Sequence, residues 1–182
     1  MASAFTHAFV AIALGKTYTG ARMAWRFWLW TVFCAVVPAV DVVGFAFGIR
    51  YGDMLGHRGL THSLAFALML AVVVVVFAFK DVPHWSRGWW TLVAYFFVVT
   101  ASHGVLDALT NGGLGVAFFA PFSNARYFFP WRPIEVSPIG VAPFFSERGL
   151  EVIKSEFVWL WLPAIGLIAL AWIVRNVMRS AR

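Results

Sequence analysis

The sequence predicts an all-α polytopic membrane helical bundle of four to five helices, closed at one end by an aromatic- and proline-rich interfacial cap. Three observations carry that expectation. The 182 residues are 62% hydrophobic and 12% charged, whereas a soluble domain carries about a quarter charged residues. The apolar residues come in long blocks rather than in alternation, which suits a bilayer as solvent. Ten Trp and nineteen Phe fit helix ends at the lipid–water boundary, where aromatic side chains collect.

Each element follows in order within a single integral membrane domain, 1–182. The opening "MASAFTHAFVAIALGK" lacks the basic stretch of a signal peptide and reads as retained. Its apolar block, about 4–20, is short and reads as a partly inserted or bundle-covered helix. Blocks 25–49, 60–79, 89–110 and 157–174 each approach the roughly 20 apolar residues that cross a bilayer. The stretch 111–156 is rich in Gly, Pro and aromatics. Its prolines argue against another crossing helix, so it reads as an ordered cap. Cys34, the single cysteine, lies inside an apolar block, which excludes a disulfide framework and a cysteine metal motif.

Helix alternation puts loops 50–59 and 111–156 on one face, and 16–24, 80–88 and 175–182 on the other. The second face carries Lys16, Arg22, Arg26, Lys80, Arg87, Arg175, Arg179 and Arg182. The first carries Arg50, Arg58, Arg126, Arg132, Arg148 and Lys154, four of them in one long loop. Eight against six, with short segments weighted most, makes the second face cytoplasmic and the cap extracytoplasmic. The net charge of +6 is scattered without a basic run. It therefore reads as topology and attraction to anionic lipid rather than as a nucleic-acid footprint.

Ionisable groups in membrane spans are costly and usually functional. Asp41 falls late in its span, His62 early, and His103 and Asp107 in the last turns of theirs. With alternating helices all four reach the cap face, and His7 joins them if its helix starts there. His103 and Asp107 are one turn apart in "SHGVLDALTNGG", on a single helical face. His57 and His62 flank Gly59 in "HRGLTHS". His84 falls on the opposite face. Imidazole and carboxylate together suit zinc, and also manganese or iron. Each residue has a plainer reading as well: a satisfied polar group, a cap on a broken helix at Asp41, or a structural His–Asp hydrogen bond.

"HRGLTHS", "SHGVLDALTNGG" and "PFSNARYFFPWRPIEVSPIG", in that order, resemble the YdjM-like family of inner-membrane metal-dependent hydrolases. The likeness runs from "THAFVAIALG" to "SPIG". It implies a compact helical membrane protein with a His/Asp metal site. Distant similarity to zinc-dependent phospholipases C and single-strand nucleases would imply phosphoester chemistry. Members often carry Pro-Asp-x-Asp in the second helix, where this chain reads "PAVD", with Ala39 in the first acidic position. That departure puts a fully populated two-metal centre in doubt.

The expected function is metal-assisted hydrolysis of a lipid or lipid-linked phosphoester at the membrane surface. His7, Asp41, His62, His103 and Asp107 are the expected ligands of one or two divalent ions, with His57 a further ligand or general acid/base and Asp107 a possible proton acceptor. Arg58, Arg126 and Arg132 are candidates to grip a phosphate, because guanidinium matches its oxygens bidentately. Three alternatives stay open: a haem electron carrier, a transporter or proton relay using the same groups, and a non-catalytic protein structured by metal.

Overall fold

The long apolar blocks are helical, and helices satisfy their own backbone polar groups as the lipid interior demands. The computed structural model describes residues 1–19 and 23–180. Arg22 and Arg182 of the charge tally, and Gly20 at the end of the first block, lie outside the described residues. α1 (Ala4–Tyr18) begins at Ser3, whose hydroxyl accepts from the Thr6 amide at 3.3 Å. Its buried face is Thr6, His7, Ala11, Ala13 and Gly15, mostly small side chains that allow close helix approach. Fifteen residues reach about 22 Å, short of the roughly 30 Å hydrocarbon core.

α2 (Trp25–Val36) runs on without interruption into a 3-10 helix, Val37–Phe47. Pro38 sits at the junction. It lacks an N–H and its ring crowds the preceding turn, so the regular α register cannot continue. Gly48, at φ 77°, closes the segment by donating to the Gly44 and Phe45 carbonyls. A short 3-10 turn, Leu60–His62, leads to α3 (Leu64–Ala78), capped by the Ser63 hydroxyl on Phe66 N–H at 3.1 Å. The run "AVVVVVFA" is a weak helix former in water, yet it is helical because an extended segment would leave backbone groups unpaired in lipid.

α4 (Arg87–Ala108), capped by Ser86, is the central helix. It buries 61% of its apolar stretch, against 22% for Trp25–Phe47 and 11% for the C-terminal helix. Phe27, Cys34, Val74, Val75, Trp89, Tyr95, Phe96 and Val99 form the main apolar core with α2 and α3. Trp25–Phe47, α4 and Glu147–Ser180 are long and apolar enough to cross a membrane, whereas α3, at the expected span 60–79, is a shorter apolar helix.

The cap is ordered. Backbone bonds tie it to the bundle from Ala117 to Arg58, Leu64 to Phe118 and Phe129 to Ala108. Isolated bridges join Thr110 to Ile134 and Val116 to Tyr127. Its extent differs from the expected 111–156. α5 (Val141–Phe144) is a single turn, and α6 (Glu147–Glu156) passes through a π-helical turn, Phe157–Trp161, into α7 (Leu162–Ser180). The last span is therefore part of one 34-residue helix, Glu147–Ser180, rather than 157–174. The polar sequence "ERGLEVIKSE" hid its first turns, because α6 buries only Gly149, Val152 and Glu156.

Candidate metal centre

α4 supplies the floor of the site. His103 and Asp107 occupy successive turns of its buried face. Gly104 between them lets the helix lie against the His62 turn, where a Cβ would stand 2.9 Å from the His62 carbonyl oxygen. His103 Nδ1 donates to the Ala35 carbonyl at 2.6 Å. In the tightened i→i+3 register that carbonyl would look to Pro38, which has no proton to give. The bond fixes the tautomer, so Nε2 carries its lone pair toward the site.

The 3-10 segment supplies Asp41, whose side chain is 2% exposed. Its carboxylate accepts from His57 Nδ1 at 2.7 Å, Thr61 Oγ1 at 2.7 Å and the Arg58 amide at 3.1 Å. His62 Nδ1 lies 3.1 Å away. One carboxylate thus organises the whole turn "HRGLTH" and leaves Nε2 of both histidines free to act as ligands or bases. Gly59 makes the turn possible, since a Cβ there would meet the Met54 carbonyl at 2.1 Å. Arg58 holds a positive φ of 62°, a conformation unusual for a side chain of its size.

Three imidazole Nε2 atoms then surround the carboxylate of Asp107. His7 stands at 3.3 Å, His62 at 3.4 Å and His103 at 3.9 Å. The His7 and His103 rings stack with centroids 3.6 Å apart. The Ala2 amide donates to Asp107 Oδ1 at 2.8 Å. His7, His62 and His103 Nε2, with Asp107 Oδ2, are buried without a hydrogen-bond partner. Buried polar atoms are otherwise nearly always paired, and each orphan costs about 1–3 kcal/mol. Two buried triads are placed to hold metal ions: His7, His103 and Asp107, and Asp41, His57 and His62.

The five residues expected to converge, His7, Asp41, His62, His103 and Asp107, do so, and His57 stands beside them. The arginines are placed differently from one another. Arg58 is fully buried; it donates to the Gly112 carbonyl and Thr110 Oγ1, each at 2.9 Å, with Nε 3.4 Å from Asp107. Arg126 donates to the carbonyls of His57, Tyr51 and Asp53 at 2.8–3.0 Å. Arg132 is exposed, over the Phe128 ring. His84 packs near Trp89, outside the cluster. Sequence reasoning missed Thr110, the Ala2 amide and Glu156, and read Thr61 or Ser63 as a helix cap, a role that falls to Ser63 while Thr61 bonds Asp41. Thr61 lay inside "HRGLTHS"; the backbone amide left no signal at all. Burial pushes the His57 imidazole below its ordinary 6.5, opposed by the Asp41 carboxylate.

The model of the YdjM inner membrane protein family matches residues 1–179. Inner membrane protein YbcI of Escherichia coli (strain K12) is 35% identical over 173 residues, covering 94% of this chain and 98% of that protein. No solved structure matches the chain.

Proposed function

The chain belongs to the YdjM inner membrane protein family, and from that premise we propose that it is a metal-dependent hydrolase of lipid or lipid-linked phosphoesters at the membrane surface. One observation carries the reading: orphaned Nε2 atoms of His7, His62 and His103 facing the Asp107 carboxylate. In a tetrahedral site with bonds of about 2.0–2.2 Å, neighbouring ligand atoms stand roughly 3.3–3.6 Å apart. His7 at 3.3 Å from Oδ1 and His62 at 3.4 Å from Oδ2 fall in that range and His103 at 3.9 Å from Oδ2 lies just beyond it, all longer than hydrogen bonds, which close at about 2.7–3.2 Å. Neutral imidazole and carboxylate favour zinc, with manganese and iron also compatible. The Asp41 triad is closed by true hydrogen bonds, so Asp41 serves as the outer carboxylate that orients His57 and His62. A single ion is the simpler occupancy.

A divalent ion there would supply Lewis acidity and acidify a bound water towards a pKa of about 7. The chain's own groups do the rest. His57, held through Nδ1 by Asp41 and free at Nε2, is kept neutral by burial and is the proton acceptor. Arg58 offsets the charge of Asp107 and fixes its position. Arg58 and Arg126 turn their terminal guanidinium nitrogens onto the frame, which leaves Arg132 as the headgroup-facing cation. A second reading, a non-catalytic metal-structured protein, is favoured by the burial of His7, His57, His62, His103 and Asp107, each at most 3% exposed.

Elemental mass spectrometry of the detergent-purified protein, beside a His62→Ala/His103→Ala double variant, tests the centre. At least about one zinc, manganese or iron per chain, lost in the variant, is expected. A folded wild type that stays metal-free after reconstitution overturns the proposal. With metal present, release of phosphate from phospholipids or lipid-linked phosphates, abolished in His57→Gln, separates the hydrolase from the structural reading.

A further inference from the structure

α6 carries a carboxylate that the chemistry above does not use. Glu156 is 0% exposed and sits where the helix opens into its π turn. Its Oε1 accepts from the Ser3 amide, and its Oε2 from Ser3 Oγ at 2.6 Å and Thr6 Oγ1 at 2.7 Å. Thr6 Oγ1 in turn accepts from Trp161 Nε1 at 2.7 Å. Glu156 and Trp161 are five residues apart, about 140° out of phase on a regular α-helix. The π turn between them gives both a common target, and single π turns of this kind recur at functional sites.

All of these bonds grip one turn, the first of α1. That turn presents His7 and, just before it, the Ala2 amide that donates to Asp107 Oδ1. The same turn therefore places one imidazole and occupies one oxygen of the carboxylate, leaving Oδ2 facing His62 and His103. Negative charge at a helix N-terminus is favourable by itself. An ordinary cap, however, is already present in Ser3, and a surface acid would serve the dipole without burial.

We propose that Glu156 is a positioning residue for the metal centre: it clamps the first turn of α1 and so sets where His7 and the Ala2 amide meet Asp107. The inference rests on the metal reading above. Glu156→Gln keeps the shape but presents an amide NH2 where a carboxylate oxygen accepted. Ser3→Ala/Thr6→Val removes the other side of the clamp and keeps a readout should the first variant fail to fold.

The test is cobalt(II) binding to the full-length detergent-purified chain, read by visible absorption and by competition with a chelator. Glu156→Gln is expected to shift the wild-type ligand-field bands and weaken binding about tenfold, the low end for an outer-sphere partner, with helix content by circular dichroism unchanged. Ser3→Ala/Thr6→Val should give the same shift, and the combination should add little, because all three groups act as one unit. Unchanged bands and affinity in folded Glu156→Gln, or in the double variant, overturn the proposal even where thermal stability falls. A wild type that shows no cobalt bands sinks the metal centre itself, and this inference with it.

Discussion

The two halves of α4 lie on one helix yet are built by opposite means. From Trp89 to Val99 the buried face is apolar, and its tyrosine is satisfied through Thr31 Oγ1 at 2.9 Å. Trp89 Nε1 is the one unpartnered polar atom buried on this half among the described residues. From Thr100 to Ala108 the same face buries Thr100, His103 and Asp107, and histidines from α1 and the 56–62 turn converge there with Nε2 atoms that close no hydrogen bond. Packing alone explains the first half. The second half is expensive as it stands, since polar groups are desolvated without partners. The difference teaches that the upper half is organised around something other than its own stability.

Asp107→Asn should break the comparison most severely. It takes the carboxylate that faces the guanidinium from a buried Arg58, and stranding a buried charge costs about 3–5 kcal/mol. Thermal unfolding should shift down accordingly, and bound metal measured on the remaining folded protein should be lost. Phe96→Ala is the control from the other half. Phe96 is 0% exposed in the apolar core, so about 3–5 kcal/mol of stability should go. Metal per folded chain should stay at the wild-type value.

His57→Gln sharpens the contrast through pH. Burial keeps the folded His57 below its ordinary 6.5, so below that value the unfolded chain binds the extra proton. Stability conferred by a neutral His57 is therefore present above about pH 6.5 and falls as the solution is acidified. The slope is at most about 1.4 kcal/mol per pH unit for one proton. Denaturant titrations between pH 5 and 8 should show a flatter profile in the variant. The smallest effect belongs to Arg132→Ala, an exposed cation outside the network. It should change stability by less than about 0.5 kcal/mol and leave metal content alone.

The helical bundle was legible because lipid forces long apolar runs into helices, and the convergence at one depth followed from where His7, Asp41, His62, His103 and Asp107 fell in those runs. Roles within the cluster were not legible. Whether Asp41 holds an ion or two imidazole N–H groups depends on a 3-10 register that Pro38 only hints at. Arg58 reads as a surface cation until a positive φ turns it inward. Glu156 sits in a polar segment that looks solvated, and only the π turn and the N-terminus of α1, some 150 residues away in sequence, show that it is buried.

The central claim is that three imidazoles and one carboxylate share an ion at the upper half of α4. Metal-edge X-ray absorption on the purified wild-type protein tests it most directly. The account predicts a four-coordinate first shell of about three nitrogen donors with imidazole scattering and one oxygen, at about 2.0–2.2 Å, and no such shell in His62→Ala/His103→Ala, which should bind no metal. A shell of six oxygens without imidazole scattering, or the same spectrum in wild type and variant, would contradict it.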